Sequence, residues 1–404
     1  MKSGKRSKDK VDITIVGGCG HVGLPLGLGF ANAGKRVVAL DIDAAKVAAT
    51  NEGKMPFVDR GADELLAKVL ANGKFTCTTD PAVISEAEVI VTIVGTPVDE
   101  HLNPRFDTIQ EVILESRSRL RDGQLFILRS TLFPGTTERV AKLLAKEGFD
   151  IDVAVCPERV AEGVALEEIT SLPQIVAGVT PRAQKRAEKL FKLLAPEIVP
   201  MKPLAAELAK LFTNAWRYIQ FATANQFYMI ANDYDMDFYE IHRAMTQDYP
   251  RAKGFPKAGF AAGPCLFKDT MQLSAFHNNT FFLGHAAMLI NEGLPNYLVQ
   301  RLTRKHDLSH MTVGILGMTF KADSDDPRDS LSFKLRRVLQ PQCREVLCTD
   351  PYLSLPWLTP LEETVSKSDL IIIGVPHSEY KKLSFGNKPV VDIWAQTKQG
   401  GAVV

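Results

Sequence analysis

VDITIVGGCGHVG, residues 11–23, is a β-branched run that breaks into Gly18-Cys19-Gly20-His21-Val22-Gly23. A strand followed by GxGxxG and then a helical pattern is the signature of a dinucleotide-binding turn. The first glycine permits a tight turn, the second admits a pyrophosphate against the backbone, and the third lets helix and strand pack closely. The helix opening here is expected to end near Gly34 and to offer free N–H groups to phosphate. A second run, RVVALD, ends on Asp41, 23 residues after Gly18 and suitably spaced for the adenosine ribose. A carboxylate ~4 Å from a 2′-phosphate would cost about 1–4 kcal/mol, so the pattern favours NAD over NADP. Cys19, inside the turn, needs no function beyond filling space.

The same alternation of short apolar runs and helical stretches continues as EVIVTIVG, LFILRST, DVAVCPE and QIVAG. From about Lys202 to Arg304 the pattern is helical without strand candidates. From His310 the runs return as TVGILG, REVLCTD, DLIIIGVP and PVVDIW. The expected fold is α/β: two Rossmann-like doubly wound parallel-sheet domains joined by a helical middle domain with a long central helix. The expected boundaries are a basic tail at 1–10, a cofactor domain at 11–201, a helical domain at 202–305 and a second α/β domain at 306–404. The central helix, without proline between Leu204 and Asp235, should run roughly 28 residues or about 40 Å. Leu208, Leu211, Phe212, Ala215 and Ile219 are expected to face a core, with Trp216, Tyr218 and Phe227 as packing anchors.

Composition excludes several classes. The 404 residues carry 48 basic and 47 acidic side chains and are 45% hydrophobic, so a globular chain without a nucleic-acid footprint is expected. MKSGKRSKDK at the start is basic but lacks a following apolar stretch, and reads as a solvated tail or a weak phosphate-binding arm. No run approaches the ~18–20 apolar residues of a membrane span, so a cytoplasmic protein is expected. Six cysteines without CxxC or zinc spacing signal neither a disulfide framework nor a metal site.

Three further stretches bear chemistry. In Gly259 to Asp269 a lone cysteine, Cys265, sits in a glycine-rich loop with Lys268 and Asp269 just beyond. A thiolate suits addition to an aldehyde, and a nearby lysine and loop amides favour that form, yet a free cysteine is often a buried filler. Glu207, Lys210 and Asn214 fall on one face of the central helix, either a site or a solvated face. Phe320 to Ser330, directly after TVGILG, is acidic around Lys321 and Arg328. It is either a ligand loop at the end of a strand or a surface cluster of ion pairs.

Taken in order, these residues resemble the UDP-glucose/GDP-mannose dehydrogenase family of nucleotide-sugar 6-dehydrogenases, from about Val11 to Trp394. The family's DxDxxKV pattern stands at Asp41 to Val47, its STxxPGTT at Ser130 to Thr137 and its NPExxxEG at Cys156 to Gly163. ELxKxxxN stands at Glu207 to Asn214, CxxKD at Cys265 to Asp269 and FKxDxxDxRxS at Phe320 to Ser330. The resemblance implies two successive NAD-dependent oxidations of a sugar C6 alcohol to a uronic acid, through a Cys265 thiohemiacetal and thioester. It implies catalytic roles for Cys265, Lys210, Asn214, Asp269, Glu158 and Thr131, with Glu158 activating the hydrolytic water. Cofactor contacts are implied for Gly18, Gly20, His21, Val22, Gly23, Asp41, Lys46, Thr96, Ser130, Glu162 and Arg328. Substrate contacts are implied for Arg159, Lys210, Asn214, Gly263, Phe320 and Lys321, and for Arg251 donated by a neighbouring subunit. The resemblance also implies a homodimer or higher homo-oligomer through the central helix, and a role in making polysaccharide precursors.

Three positions depart from the family pattern. His21 replaces a common aromatic, Ala262-Gly263-Pro264-Cys265 replaces Gly-Gly-x-Cys, and Cys156 replaces the asparagine before Pro157. UDP-glucose or a UDP-N-acetylhexosamine is the expected substrate, with GDP-mannose as the alternative. The CxxKD ending resembles the glucose and GDP-mannose branches more than the HCxxxD of some N-acetylmannosamine enzymes. A two-electron hydroxyacid-type dehydrogenase would need neither Cys265 nor a second α/β domain. A non-catalytic NAD-binding protein would not need the full catalytic set.

Overall fold

The computed structural model describes residues 11–95 and 107–397. The chain divides into two compact units, residues 1–212 and 213–404.

In the first unit the elements run β1 (Ile13–Val16), α1 (Gly23–Asn32), β2 (Val37–Leu40), α2 (Ala44–Asn51), α3 (Ala62–Ala71), β3 (Phe75–Thr78), β4 (Val89–Thr92) and α4 (Asp107–Ser116). They continue with β5 (Leu125–Leu128), α5 (Thr136–Lys146), β6 (Asp152–Val155), α6 (Ala165–Ser171), β7 (Gln174–Gly178), α7 (Pro181–Phe191) and β8 (Ile198–Pro200). The sheet order is β3-β2-β1-β4-β5-β6-β7-β8. The first six strands are parallel and form a doubly wound core. One face packs on Leu24, Leu26, Leu28 and Phe30 of α1 and on Leu190 and Phe191 of α7. The other packs on Ile109 and Ile113 of α4 and Val140 and Leu144 of α5. Burial on both faces is why β2 and β5 are wholly apolar, and why β4 and β6 are so apart from Thr92 and the ion-paired Asp152, the pattern read from the sequence.

The sheet corrects the sequence reading in two ways. β7 runs antiparallel to β6, so the sheet is not parallel throughout. β3 and β8 escaped notice because both are edge strands: FTCT alternates buried and accessible positions, and IVP is two half-buried residues followed by an exposed proline.

The central helix α8 (Pro203–Asp233) has 31 residues, close to the expected length. Leu211 and Ala215 are buried as expected and Leu208 and Ile219 half-buried, but Phe212 is 55% exposed. Phe212 lies 100° round the helix from Leu211, outside the buried stripe. That stripe instead takes in Glu207, Lys210 and Asn214, each at most 6% exposed, which excludes the solvated-face reading of the three. Of the proposed anchors only Tyr218 is buried; Trp216 and Phe227 are exposed.

Beyond α8 the second unit adds α9 (Phe238–Thr246), α10 (Leu266–Phe276) and α11 (Phe282–Lys305), then β9 (Thr312–Leu316), α12 (Leu331–Leu339), β10 (Glu345–Thr349), α13 (Leu361–Lys367), β11 (Leu370–Ile373) and β12 (Val390–Val391). The sheet is parallel, in the order β10-β9-β11-β12. Val313, Ile315, Leu370 and Ile372 face Leu294, Leu298 and Leu302 of α11 and Leu331, Leu335 and Leu339 of α12. Ile371 and Ile373 face the opposite layer with Tyr380 and Phe385. This is the smaller doubly wound sheet expected after His310.

Candidate active site

The turn after β1 has the shape a dinucleotide requires, with one correction. The left-handed residue is Gly17 (φ 77°), one position before the motif; a Cβ there would lie 2.1 Å from the Ile93 carbonyl oxygen. Gly18 is required for space, since its Cβ would sit 2.6 Å from that of Ala39. At Gly23 a Cβ would meet the Gly17 carbonyl oxygen at 2.3 Å, the close helix–strand approach expected of the third glycine. Gly20 has open space around it, its nearest neighbour being the Gly17 oxygen at 3.7 Å. α1 begins at Gly23 behind Val22, with no side chain capping its first amides. Those features together fit a pyrophosphate on the helix start.

Asp41 leaves β2 half-buried. Its Oδ2 accepts the Cys19 N–H at 2.9 Å and its Oδ1 the Asp43 N–H at 3.1 Å, so the carboxylate also braces the glycine turn. His21 stacks on Phe57, ring centroids 4.1 Å apart, which explains an imidazole where the family has another aromatic. Lys46 is exposed on α2, 3.8 Å from the capping Asp43. The Ser130 hydroxyl donates to the Val94 carbonyl at 2.7 Å, tying the exits of β4 and β5 together. Thr131 follows it, half-buried. Thr96 lies outside the described residues.

The strongest grouping in the first unit is the ion pair of Lys210 with Glu158, 3.5 Å apart and nearly closed to solvent. Two long-range devices hold it. Glu207, one turn before Lys210, accepts the Gly135 N–H (2.6 Å), the Thr137 N–H (2.8 Å) and the Thr137 hydroxyl (2.6 Å), so it caps α5. Burial pushes the Glu207 carboxyl above its ordinary range, against the opposing pull of those donors. Behind Glu158, the fully buried Arg129 donates to the Cys156 carbonyl (3.0 Å) and to Gln174 Oε1 (2.6 Å). Gln174 in turn donates to the Pro157 carbonyl at 3.2 Å. The backbone before Glu158 is thereby gripped at two successive carbonyls. Arg129 stacks over Phe191, and burial lowers its guanidinium pKa. Sequence reasoning missed Arg129 because nothing in LFILRST distinguishes a strand-end arginine that turns inward.

Arg159 donates to the Pro173 carbonyl, so its guanidinium is engaged with its own backbone. Glu162 sits half-buried in a turn fixed by the Arg60 N–H to Gly163 carbonyl bond (3.0 Å). Cys156 is fully buried and its thiol is pushed up to about 12 by burial, so it fills the asparagine position as an inert apolar side chain.

In the second unit Cys265 is the exposed one of the six cysteines, standing at the N-cap of α10. The filler reading therefore fails for this thiol. One turn on, Asp269 is fully buried and accepts from Asn214 Nδ2 at 2.5 Å and Lys268 Nζ at 2.7 Å. The cysteine loop is anchored by Asn225, whose Oδ1 accepts the Gly259 N–H at 2.9 Å while its amide donates to Asn291. Gly263 in the same loop is also at positive φ (101°), and a Cβ there would come within 2.6 Å of the Phe320 ring. Ala262 takes no positive φ, so its departure from glycine is tolerated. Phe320 is thereby joined to the cysteine loop, while Lys321 beside it is exposed. Arg328 forks onto the buried Asp326 through Nε at 2.9 Å to each oxygen, so the acidic stretch is partly a local ion-pair cluster. Arg251 stands apart, exposed and stacked over Tyr249 at 4.7 Å.

Comparison with known proteins places these features in one lineage. Residues 11–195 match the NAD-binding domain of the UDP-glucose/GDP-mannose dehydrogenase family, 204–292 its central domain and 314–399 its UDP-binding domain. A UDP-N-acetyl-D-mannosamine dehydrogenase of Pyrococcus horikoshii is 30% identical over 91% of this chain and 90% of its own. A solved structure of the UDP-D-ManNAc dehydrogenase of that organism superposes with a TM-score of 0.88 at 29% identity, covering 95% of each chain. The UDP-glucose dehydrogenase of Pyrobaculum islandicum gives 0.88 at 25% identity over the whole of both chains. Such relatives support a nucleotide-sugar dehydrogenase with an NAD-binding domain. With all three domains present in order along nearly its whole length, the chain belongs to the UDP-glucose/GDP-mannose dehydrogenase family.

Proposed function

We propose that the protein is an NAD-dependent UDP-sugar 6-dehydrogenase that carries a C6 primary alcohol to the carboxylate by way of a thioester on Cys265. The observation that carries this reading is the exposed Cys265 at the start of α10, with buried Asp269 and its Asn214 partner one turn away. A two-electron dehydrogenase needs no such thiol. NAD, when bound, takes up one hydride at each of the two oxidations. The turn from Gly18 to Gly23 would hold its pyrophosphate and Asp41 its adenosine ribose. Lys46, Thr96, Ser130, Glu162 and Arg328 are further cofactor contacts in this reading.

The first oxidation removes a hydride from C6 and the hydroxyl proton, leaving the aldehyde. The Cys265 thiolate adds to the aldehyde carbon, forming a C–S bond as the C=O π bond breaks, and the oxygen takes up the proton released in the first oxidation to become the hydroxyl of a thiohemiacetal. Loss of the second hydride and that proton leaves the thioester. Water then attacks the thioester carbon, the C–S bond breaks, and carboxylate and thiolate are released with two protons, the second of which passes to solvent. Glu158 takes the proton of that water, a role suited to a carboxylate held beside a lysine with little solvent access. Lys210, with Asn214 and Asp269, steadies the developing oxyanion, and Thr131 orders the water. Arg159, Gly263, Phe320 and Lys321 contact the nucleotide sugar, and Arg251 reaches it from a neighbouring subunit.

The UDP-binding domain and the UDP-sugar relatives support UDP over GDP. UDP-N-acetylhexosamines come first among the candidate sugars because the curated relatives carry those names, although the CxxKD ending resembles the glucose branch. A homodimer through α8 is part of the reading, supported by the exposed Trp216, Phe227 and Ile230 on that helix. So are a cytoplasmic location and a role in supplying polysaccharide precursors.

The test is NADH formed per sugar consumed, with UDP-glucose and UDP-N-acetylhexosamines offered separately to wild type and Cys265→Ser. Two NADH per sugar, with the variant failing to complete turnover, is the expected result. One NADH per sugar, or full turnover without the thiol, overturns the thioester route.

A further inference from the structure

The segment that follows β9 carries Phe320 and Lys321, and its backbone hangs on a residue with no signal in the sequence. His377, after β11, is fully buried between Tyr352 and Tyr380, with ring centroids 5.0 and 5.4 Å away. Its Nδ1 accepts the Asp323 N–H at 3.0 Å. A backbone amide can only donate, so Nδ1 holds the lone pair and the ring proton is on Nε2.

That Nε2–H faces Asp350 Oδ2 at 3.1 Å and Thr319 Oγ1 at 3.2 Å. The Thr319 hydroxyl passes the contact on, donating to the Lys321 carbonyl at 2.9 Å. Asp350 Oδ2 also accepts the N–H groups of Met318 (2.6 Å) and Thr319 (3.1 Å). The backbone is thus held on both sides of Lys321, at 318–319 and at 323, by one imidazole and its carboxylate. Asp323 at the far end is left-handed (φ 54°), a conformation that a residue with a side chain adopts only when local hydrogen bonds support it. Its carboxylate offsets the strain by accepting the Ser378 N–H (2.8 Å) and hydroxyl (2.6 Å), next to His377.

We infer that His377, with Asp350, is the positioning residue that presents Phe320 and Lys321 to the nucleotide sugar. The inference rests on the reading of that loop as a substrate contact. His377 acts through the loop: its ring is closed to solvent, and its neutral Nε2–H form is the one that satisfies both nitrogens.

Two near-isosteric changes separate the halves of the grip. His377→Asn retains an acceptor where Nδ1 stands, whereas His377→Gln retains a donor where Nε2 stands and has nothing for the Asp323 N–H. Binding of UDP by titration calorimetry, with NAD binding measured in parallel, is the readout, and Lys321→Ala is the reference. The expected result is a loss of UDP affinity in Lys321→Ala and a loss of about tenfold in His377→Gln, as for one hydrogen bond in a buried site. His377→Asn should recover most of it, and NAD binding should stay at the wild-type value. If Lys321→Ala weakens UDP but neither His377 variant does, the positioning role is wrong. Equal losses of UDP and NAD binding in both His377 variants would reduce His377 to general support of the fold, which also overturns it. Unchanged UDP binding in Lys321→Ala would remove the substrate reading of the loop, and the inference with it.

Discussion

Replacing Glu207 should unseat α5 before it touches any chemistry. Its carboxylate accepts three donors, two of them backbone amides at the start of α5, those of the N-cap Gly135 and of Thr137 in the first turn. In Glu207→Ala both amides are orphaned in a site where Thr137 is fully buried. At about 1–3 kcal/mol for each unmet buried donor, and with the cost of burying a carboxylate removed, the net loss should be about 2–4 kcal/mol. Glu207→Gln keeps one oxygen for Thr137 but sets an NH2 group against the Gly135 N–H. Its loss should therefore be smaller, about 1–2 kcal/mol. Hydrogen exchange of residues 135–140, followed by mass spectrometry, reads this locally. All three tryptophans lie beyond residue 212, so their fluorescence would report on the other unit. The wild-type carboxyl has a folded pKa above its unfolded one, so the folded state holds the extra proton between the two. Its contribution is then fully present below the unfolded value and fades as pH rises through the folded value. Wild type should gain stability over that interval on acidification, relative to Glu207→Gln. Unchanged protection of 135–140 in Glu207→Ala, or equal losses in the two variants, would refute the capping argument.

Gly263→Ala should weaken nucleotide-sugar binding at least about tenfold, since it combines a left-handed backbone with a methyl group 2.6 Å from the Phe320 ring; Michaelis constants for sugar and NAD measured together check it. Asp41→Asn should raise the Michaelis constant for NAD and leave UDP binding alone, because it disturbs the Cys19 N–H contact as well as the expected ribose contact. Asp152, with its side chain 1% exposed between Arg182 and Arg186, should lose about 2 kcal/mol as Asn by urea unfolding. Asp150→Asn removes the exposed partner of the same Arg182 and should not shift the midpoint.

What the sequence disclosed was whatever is local. GxGxxG and the largely apolar strands carry their meaning within a few residues, because a turn and a twice-buried strand impose it there. The cysteine loop was legible as a candidate, but only its exposure in the structure sets Cys265 apart from the five other thiols. Pairing across distance was not legible. The Asn214–Asp269 bond joins positions 55 residues apart, and the Asp323–His377 bond joins positions 54 apart. Phe212 was misplaced because an apolar residue beside the buried stripe is indistinguishable from one on it without knowledge of what covers the helix. The reversal of β7 was likewise invisible, since a short apolar strand reads the same in either direction.

The capping of helices from afar sets a timetable for the nascent chain. α5 begins at Thr136, yet its first amides are met by Glu207, and α6 begins at Ala165 under Asp59, whose oxygens accept the Ala165 and Leu166 amides at 2.9 and 3.2 Å. As the polypeptide leaves the ribosome, the acceptor for α6 is already present when that helix appears, whereas α5 must wait some seventy residues for its own. At about 5–20 residues per second, that is a gap of several seconds during which the strand order β4-β5-β6 exists with one helix start unsealed. A fragment that stops at residue 195, where the match to the cofactor domain ends, would never close it. The cofactor-binding domain is complete as a pattern before it is complete as a folded object, and the missing piece is the first turn of the helix that also carries Lys210.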